Sequence, residues 1–114
     1  MKYMPNEKTD AALFVDILKA AEETRQFTKG FTHAAYLKDL KTQRAVERDL
    51  AIIGEAAHGL TEKARKGLDE IPWQPIIGLR NRLIHNYGNI DPNWIWDIVQ
   101  KDLPLLVRHL KKRI

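Results

Sequence analysis

A short segment in the last third of the chain, residues 80–87, carries side chains whose chemistry suits a phosphate group. Arg80, His85 and Tyr87 lie in this segment, and Asn81 directly follows the arginine. Arginine stays charged at physiological pH and can donate two parallel hydrogen bonds to phosphate oxygens. The ordinary pKa of histidine lies near neutrality, so its imidazole can take up or release a proton. The segment therefore predicts a site for acid–base chemistry on a phosphate ester.

The spacing of apolar residues places most of this segment on one helix, predicted from Trp73 to Asn86. At about 100° per residue, the apolar side chains of that helix form one broad arc: Trp73, Ile76, Ile77, Leu79, Leu83 and Ile84. Arg80 projects into the arc and needs a partner or an open pocket, because an unpaired buried charge is costly. Tyr87 returns to within about 20° of Arg80, whereas His85 lies about 140° away. We therefore expect Arg80 and Tyr87 to share a face, and His85 to meet Arg80 only across a groove or between subunits.

The same residues also fit an ordinary core helix with an ion-paired arginine, a surface histidine and a buried tyrosine. The preceding long helix carries a set of charged residues that we expect to form a solvated stripe: Glu47, Arg48, Asp49 and Glu55. Among these acids, Glu55 is the candidate counter-ion for Arg80.

Length and composition indicate a single globular domain spanning residues 1–114, with residues 1–8 as a flexible N-terminal segment. The chain has no cysteine, which excludes disulfides, thiolate metal sites and cysteine nucleophiles. No apolar run approaches the roughly 18 residues of a membrane span, and the N-terminus lacks a signal-peptide pattern. We expect a cytoplasmic protein that does not associate with a membrane.

The basic excess is compatible with a nucleic-acid partner. The formal charge is +4 with a sequence pI of about 9.4, and residues 108–113 form a basic cluster. This cluster either attracts RNA or complements the dipole of a terminal helix. The other histidines lack metal-ligand spacing, and no metal site is predicted: His33, His58 and His109. The tryptophans fit either the core or base stacking, with the core favoured for the first: Trp73, Trp94 and Trp96.

Helical spacing recurs along the whole chain, and no segment shows the alternation of a strand. The predicted helices cover residues 10–29, 33–39, 45–64 and 73–86, followed by a last helix opened by Asp91-Pro92 and kinked near Asp102 by Pro104. Gly54 inside the third of these is explained by close packing against another helix. The pattern predicts an all-α, antiparallel up-down bundle of four long helices and one short helix.

The segment at residues 80–87 resembles the R-x4-H motif of HEPN superfamily ribonucleases, in the extended R-x4-H-x-Y form of the HepT-like toxins. Further segments match that family in order and spacing: Ile52 to Ala57, Ile71 to Trp73, Ile76 to Asn81, Trp96, and Asp102 to Leu105. The resemblance covers about residues 10–110. It implies a HEPN-like fold and a metal-independent endoribonuclease that works as a homodimer with a composite site. Arg80 and His85 would be catalytic, with Asn81 in a supporting role and no cofactor.

The resemblance also implies a partner. In HepT-like toxins the motif tyrosine, here Tyr87, accepts AMP from a cognate minimal nucleotidyltransferase of the MntA type, which acts as the antitoxin. Gly88 departs from the family pattern, which often has an aromatic residue after the tyrosine. The alternative function is a non-catalytic HEPN module that binds a nucleotide or a nucleotidyltransferase.

Overall fold

A computed structural model describes residues 8–113, so the predicted flexible segment lies outside the described residues except for Lys8. All regular secondary structure within residues 8–113 is helical. In chain order the helices are α1 (Asp10–Thr28), α2 (His33–Leu37), α3 (Leu40–Gly59), α4 (Glu62–Lys66), α5 (Trp73–His85), α6 (Pro92–Asp97) and α7 (Leu103–Arg113), with a π-helical turn at Ile98–Asp102. The all-α prediction is confirmed, with α6, the π turn and α7 together forming the fourth long rod.

Side-chain caps set most of the helix starts. Threonine or aspartate oxygens accept hydrogen bonds from backbone N–H groups in the first turns of five helices: Thr9 for α1, Thr32 for α2, Asp39 for α3, Thr61 for α4 and Asp91 for α6. Such caps satisfy donors that have no partner within the helix. Gly30 follows α1 at φ 81°, where a side chain would be strained.

The apolar pattern of residues 45–64 predicts one continuous helix, and here the prediction was wrong. Leu60 adopts an extended conformation (φ −66°, ψ 145°), and Thr61 then caps the separate helix α4. A second short helix therefore joins the bundle. The apolar spacing continues across the break because Leu60 and Ala64 are both buried in the same core.

Contacts at two levels show that α1 and α3 run antiparallel. The Asp10 carboxylate, at the start of α1, accepts a 2.9 Å hydrogen bond from the backbone N–H of Thr61, just beyond α3. Near the opposite end of α1, the Thr24 hydroxyl lies 3.5 Å from a carboxylate oxygen of Asp49. None of the helices within residues 8–113 is long and apolar enough to cross a bilayer.

Asp49 differs from the expected solvated stripe on α3. The residue is only 3% exposed and faces α1, where its carboxyl group meets the Thr24 hydroxyl and the Glu23 carboxyl group. Burial, together with Glu23, raises the pKa of Asp49 to about 7. The α1–α3 interface therefore contains a titratable group that the helical pattern places on the surface.

The fourth rod contains a π-helical turn at the position where a kink is predicted. The backbone N–H of Leu103 donates to the Ile98 carbonyl, five residues earlier, and this wider turn directly precedes Pro104. Proline has no N–H to donate, and its ring clashes with an α-helical carbonyl four residues earlier. The predicted irregularity near Asp102 is confirmed as a single π turn.

Candidate active site

Gly54 brings α3 and α5 into close contact beneath the motif. A Cβ atom at this position would lie 2.8 Å from the backbone nitrogen of Arg80 and 2.9 Å from the Ile76 carbonyl oxygen. Both distances are shorter than real Cβ contacts allow, so only glycine fits. The predicted close packing at Gly54 is confirmed. It places the backbone of Arg80 beside Gly54 and fixes its position along the axis of α3.

Glu55 follows Gly54 and is the ion-pair partner of Arg80. Its carboxylate contacts the Nε group of the arginine, while Nη1 donates a 3.3 Å hydrogen bond to Oδ1 of Asn81. The Arg80 side chain is 43% exposed, and that of Glu55 is 61% exposed. The partner expected for Arg80 is therefore present at the molecular surface.

His85 is the last residue of α5, and its imidazole is exposed. Because the helix is regular from Trp73 to this residue, Arg80 and His85 point about 140° apart. The two side chains of one chain do not face each other. A substrate that meets both must span the helix or lie between two copies of the chain.

Tyr87 lies beyond the last residue of α5, so the helical wheel does not apply to it and its alignment with Arg80 stays a prediction. Asn86 leaves helical geometry (φ −117°, ψ 27°), and the backbone N–H of Asn89 donates to the Asn86 carbonyl to close a turn. A helical wheel describes only residues within the helix. Helix α5 ends at His85, two residues before Tyr87. The phenol side chain lies in this turn, where Tyr87 is 77% exposed.

The apolar arc of α5 is narrower than predicted. Trp73, Leu79 and Leu83 are buried, but Ile77 is half-buried and Ile84 is 46% exposed. On the helix surface, Ile77 and Ile84 lie on the same side of Arg80, at about 60° and 40° from it. The arginine therefore lies beside an apolar surface strip and not in the core, which is why a half-exposed carboxylate is a sufficient partner.

Comparison with known proteins decides the family. A family model described as "Ribonuclease HepT-like" matches residues 17–113. A Methanocaldococcus jannaschii protein provisionally named an RNase is 38% identical over 111 residues, which cover 97% of this chain and 91% of that protein. A Thermococcus cleftensis protein named a probable ribonuclease HepT is 37% identical over 97 residues, 85% of this chain and 88% of its own.

The chain belongs to the HepT-like ribonuclease family. A Caldanaerobacter subterraneus protein, also provisionally named an RNase, is 33% identical over 105 residues that cover 92% of this chain and 94% of that protein. No solved structure gives a significant match. The prediction of a ribonuclease of this family is confirmed.

The side of α5 remote from Glu55 carries a second arginine in this HepT-like ribonuclease. The Arg82 guanidinium stacks 3.9 Å from the ring centroid of Trp94, beside an apolar groove of about 490 Å³ between α5 and the fourth rod. A helical wheel does not show contacts between helices, so the sequence analysis could not predict this pair. The Arg82 guanidinium covers one face of the Trp94 indole.

The other tryptophans also have partners within the chain. Trp73 is buried and its indole N–H donates to the carbonyls of Arg65 and Leu68, each at 3.0 Å. Trp96 stacks on the His33 ring at 5.7 Å between centroids. The core interpretation of Trp73 is confirmed, and the half-buried Trp96 has one face covered.

The remaining histidines are dispersed in the HepT-like fold. His33 lies 2.7 Å from the side-chain oxygen of Asn93, and His109 lies 3.9 Å from the Glu70 carboxylate. No group of three or more metal-binding side chains occurs within residues 8–113. The basic cluster lies on the last turns of α7, where one lysine approaches Glu22 at 3.9 Å.

Proposed function

We propose that this protein is a metal-independent endoribonuclease and the toxin of a toxin–antitoxin pair, with Arg80 and His85 as catalytic residues. One observation carries the proposal within this ribonuclease family. Arg80 is held by Glu55 at Nε and by Asn81 at Nη1, on the helix that ends in the exposed His85. A guanidinium with further N–H groups to donate and an exposed imidazole are the groups that phosphodiester cleavage requires.

In this mechanism the ribose of the substrate supplies the nucleophile. The imidazole of His85 removes the proton from a 2′-hydroxyl, the 2′-oxygen forms a bond to phosphorus, and the bond from phosphorus to the 5′-oxygen breaks. Arg80 stabilises the charge that develops on the phosphoryl oxygens. An imidazolium protonates the departing 5′-oxygen, which yields a 2′,3′-cyclic phosphate and a 5′-hydroxyl. Side chains supply the base, the cation and the acid, so the mechanism requires no metal ion.

One imidazole cannot serve both sides of an in-line displacement, and we propose that a second copy of the chain supplies the other. A two-fold dimer would bring two sets of Arg80 and His85 into one cleft. Ile77 and Ile84 support this proposal, because they leave apolar surface beside Arg80 that a second copy would cover. Light scattering tests it: Ile84→Asp should lower the measured mass toward that of a monomer, and a mass already monomeric in the wild type would refute it.

We further propose that Tyr87 accepts AMP from a cognate nucleotidyltransferase antitoxin. Its phenolic oxygen would attack the α-phosphorus of ATP, pyrophosphate would leave, and the phenolic proton would pass to a base of the transferase. The 77% exposure of Tyr87 supports the proposal, because a second enzyme must reach the hydroxyl. The added negative charge and bulk near Arg80 would compete with the substrate phosphate.

Cleavage assays test the catalytic site. AMP-free wild-type protein should cut RNA in EDTA, and Arg80→Ala or His85→Ala should lower the rate by about 10²- to 10⁴-fold. Equal cleavage by all three proteins would refute the assignment. Absence of cleavage by all three would instead favour the non-catalytic HEPN module.

Mass spectrometry tests the modification. After incubation with the partner enzyme and ATP, the peptide containing Tyr87 should gain the mass of AMP in the wild type and not in Tyr87→Phe. An unmodified wild-type peptide, or equal modification of the phenylalanine variant, would contradict Tyr87 as the acceptor.

A further inference from the structure

Resting on the proposed ribonuclease function, we propose that Glu55 is a positioning residue for RNA cleavage. Its carboxylate holds Arg80 through Nε and thereby directs the two terminal nitrogens of the guanidinium at the scissile phosphate. This role goes beyond that of a counter-ion, because it assigns to Glu55 a share of the rate of the chemical step.

The backbone places Glu55 with little freedom. Gly54 packs directly against the backbone of Ile76 and Arg80, so the crossing of α3 and α5 cannot shift along either helix without a clash. Glu55 is the next residue of the same regular helix. The distance between its Cα atom and that of Arg80 is therefore fixed by helix packing, and the side chains need only short adjustments to meet.

The contacts divide the donors of the guanidinium into two groups. An arginine side chain has five N–H donors, one on Nε and two on each terminal nitrogen. Glu55 engages Nε, and Asn81 accepts one hydrogen bond from Nη1. Within residues 8–113, no further acceptor is recorded for Nη1 or Nη2. The end edge of a guanidinium carries one N–H from each of these two nitrogens. A phosphate can bind this edge with two parallel hydrogen bonds while Glu55 stays in place.

Exposure argues against a mainly structural role for this ion pair. The side chain of Glu55 is 61% exposed and that of Arg80 is 43% exposed, and pairs this well solvated contribute little to stability. Holding a long side chain in one orientation, by contrast, lowers the cost of reaching the transition state. The negative charge also offsets part of the attraction between Arg80 and a ground-state phosphate. Loss of Glu55 should therefore reduce kcat more than it raises KM.

The test compares Glu55→Ala and Glu55→Gln with the wild type in steady-state RNA cleavage. Glu55→Ala should lower kcat about tenfold with KM changed less than about twofold, because the guanidinium is no longer oriented. Glu55→Gln keeps an oxygen that accepts from Nε and should retain kcat within about threefold. Glu62→Ala is the matched control, since Glu62 is 74% exposed and also forms an ion pair, with Lys66. The control should match the wild type in kcat, KM and melting temperature.

Three kinetic results would overturn the inference alone while the wild type cuts RNA and Arg80→Ala does not. They are an unchanged or increased kcat in Glu55→Ala, a defect confined to KM, and equal impairment of the glutamine and alanine variants. A lower melting temperature of Glu55→Ala that parallels its loss of activity would also overturn it. A wild-type protein that cannot cleave RNA would refute the proposed function and this inference together.

Discussion

Arg80 and Arg82 lie two residues apart on α5, yet their guanidinium groups contact different types of side chain. Arg80 is held by acceptors, the carboxylate of Glu55 and the amide oxygen of Asn81. Arg82 is held by the face of the Trp94 ring, 3.9 Å from its centroid. Acceptors fix the direction of N–H groups, whereas a ring face fixes only the position of the guanidinium plane. Two side chains of equal charge are therefore unequally suited to act on a phosphate.

Substitution of each arginine tests this difference directly, and the loss of Arg80 should have the larger effect on RNA cleavage. Arg80→Ala should lower RNA cleavage by at least about 100-fold, whereas Arg82→Ala should stay within about threefold of the wild type. Arg80→Lys should remain strongly impaired, because an ammonium group lacks the planar fork that Glu55 and Asn81 hold. Initial rates on one RNA at one salt concentration measure all three variants. Equal losses in Arg80→Ala and Arg82→Ala would show that only the summed positive charge matters.

Gly54 and Gly78 lie near Arg80 and Arg82 respectively, and alanine substitutions at these glycines should have opposite effects on stability. Gly54→Ala should lower the free energy of unfolding by about 1–3 kcal/mol, because the new methyl group meets the backbone of α5. Gly78 lies in α5 beside the apolar groove, and a Cβ atom there has no neighbour within 4 Å. Gly78→Ala should therefore raise the free energy of unfolding by about 0.5–1 kcal/mol.

Urea denaturation measures both glycine variants, and cleavage assays should show a defect only in Gly54→Ala. Destabilisation by both substitutions, or by neither, would contradict the close approach of α3 to α5. A destabilised Gly54→Ala protein with full activity would show that Arg80 tolerates movement of the backbone.

Asp49, on the side of α3 that faces α1, predicts an effect on stability that depends on pH. The folded state raises the pKa of Asp49 to about 7, while an unfolded aspartate titrates near 3.9, so the folded state binds more protons between these values. The free energy of unfolding should then decrease as the pH rises from about 4 to about 7. Asp49→Asn stays neutral and should be more stable than the wild type at pH 8, by about 1–2 kcal/mol.

Thermal unfolding at several pH values measures this effect, with the exposed Glu62→Gln as control. The stability difference between Asp49→Asn and the wild type should widen from pH 5 to pH 8. A constant difference would show that Asp49 is ionised throughout this range.

Local sequence patterns predicted most of the helices. They failed where the outcome depended on a contact between helices or on the residue at which a helix ends. Apolar spacing predicted the start of α1 and Asp91-Pro92 predicted the start of α6, and the arc of α5 included Leu79 and Leu83, which are buried. The prediction of one helix over residues 45–64 failed because apolar spacing does not show that the chain becomes extended at Leu60. The prediction for Asp49 failed because charge alone assigned it to the surface, whereas the packing of α1 covers it.

The sequence by itself determined the helical class, the family motif and the need of Arg80 for a partner. These depend on residue type and on spacing within one helix, and both can be read directly from the sequence. Tertiary structure alone decided that Glu55 is that partner and that Arg82 stacks on Trp94. These facts depend on which helices cross. Crossing is set by the summed packing of distant residues, as at Gly54, where the absence of a single methyl group brings two helices together.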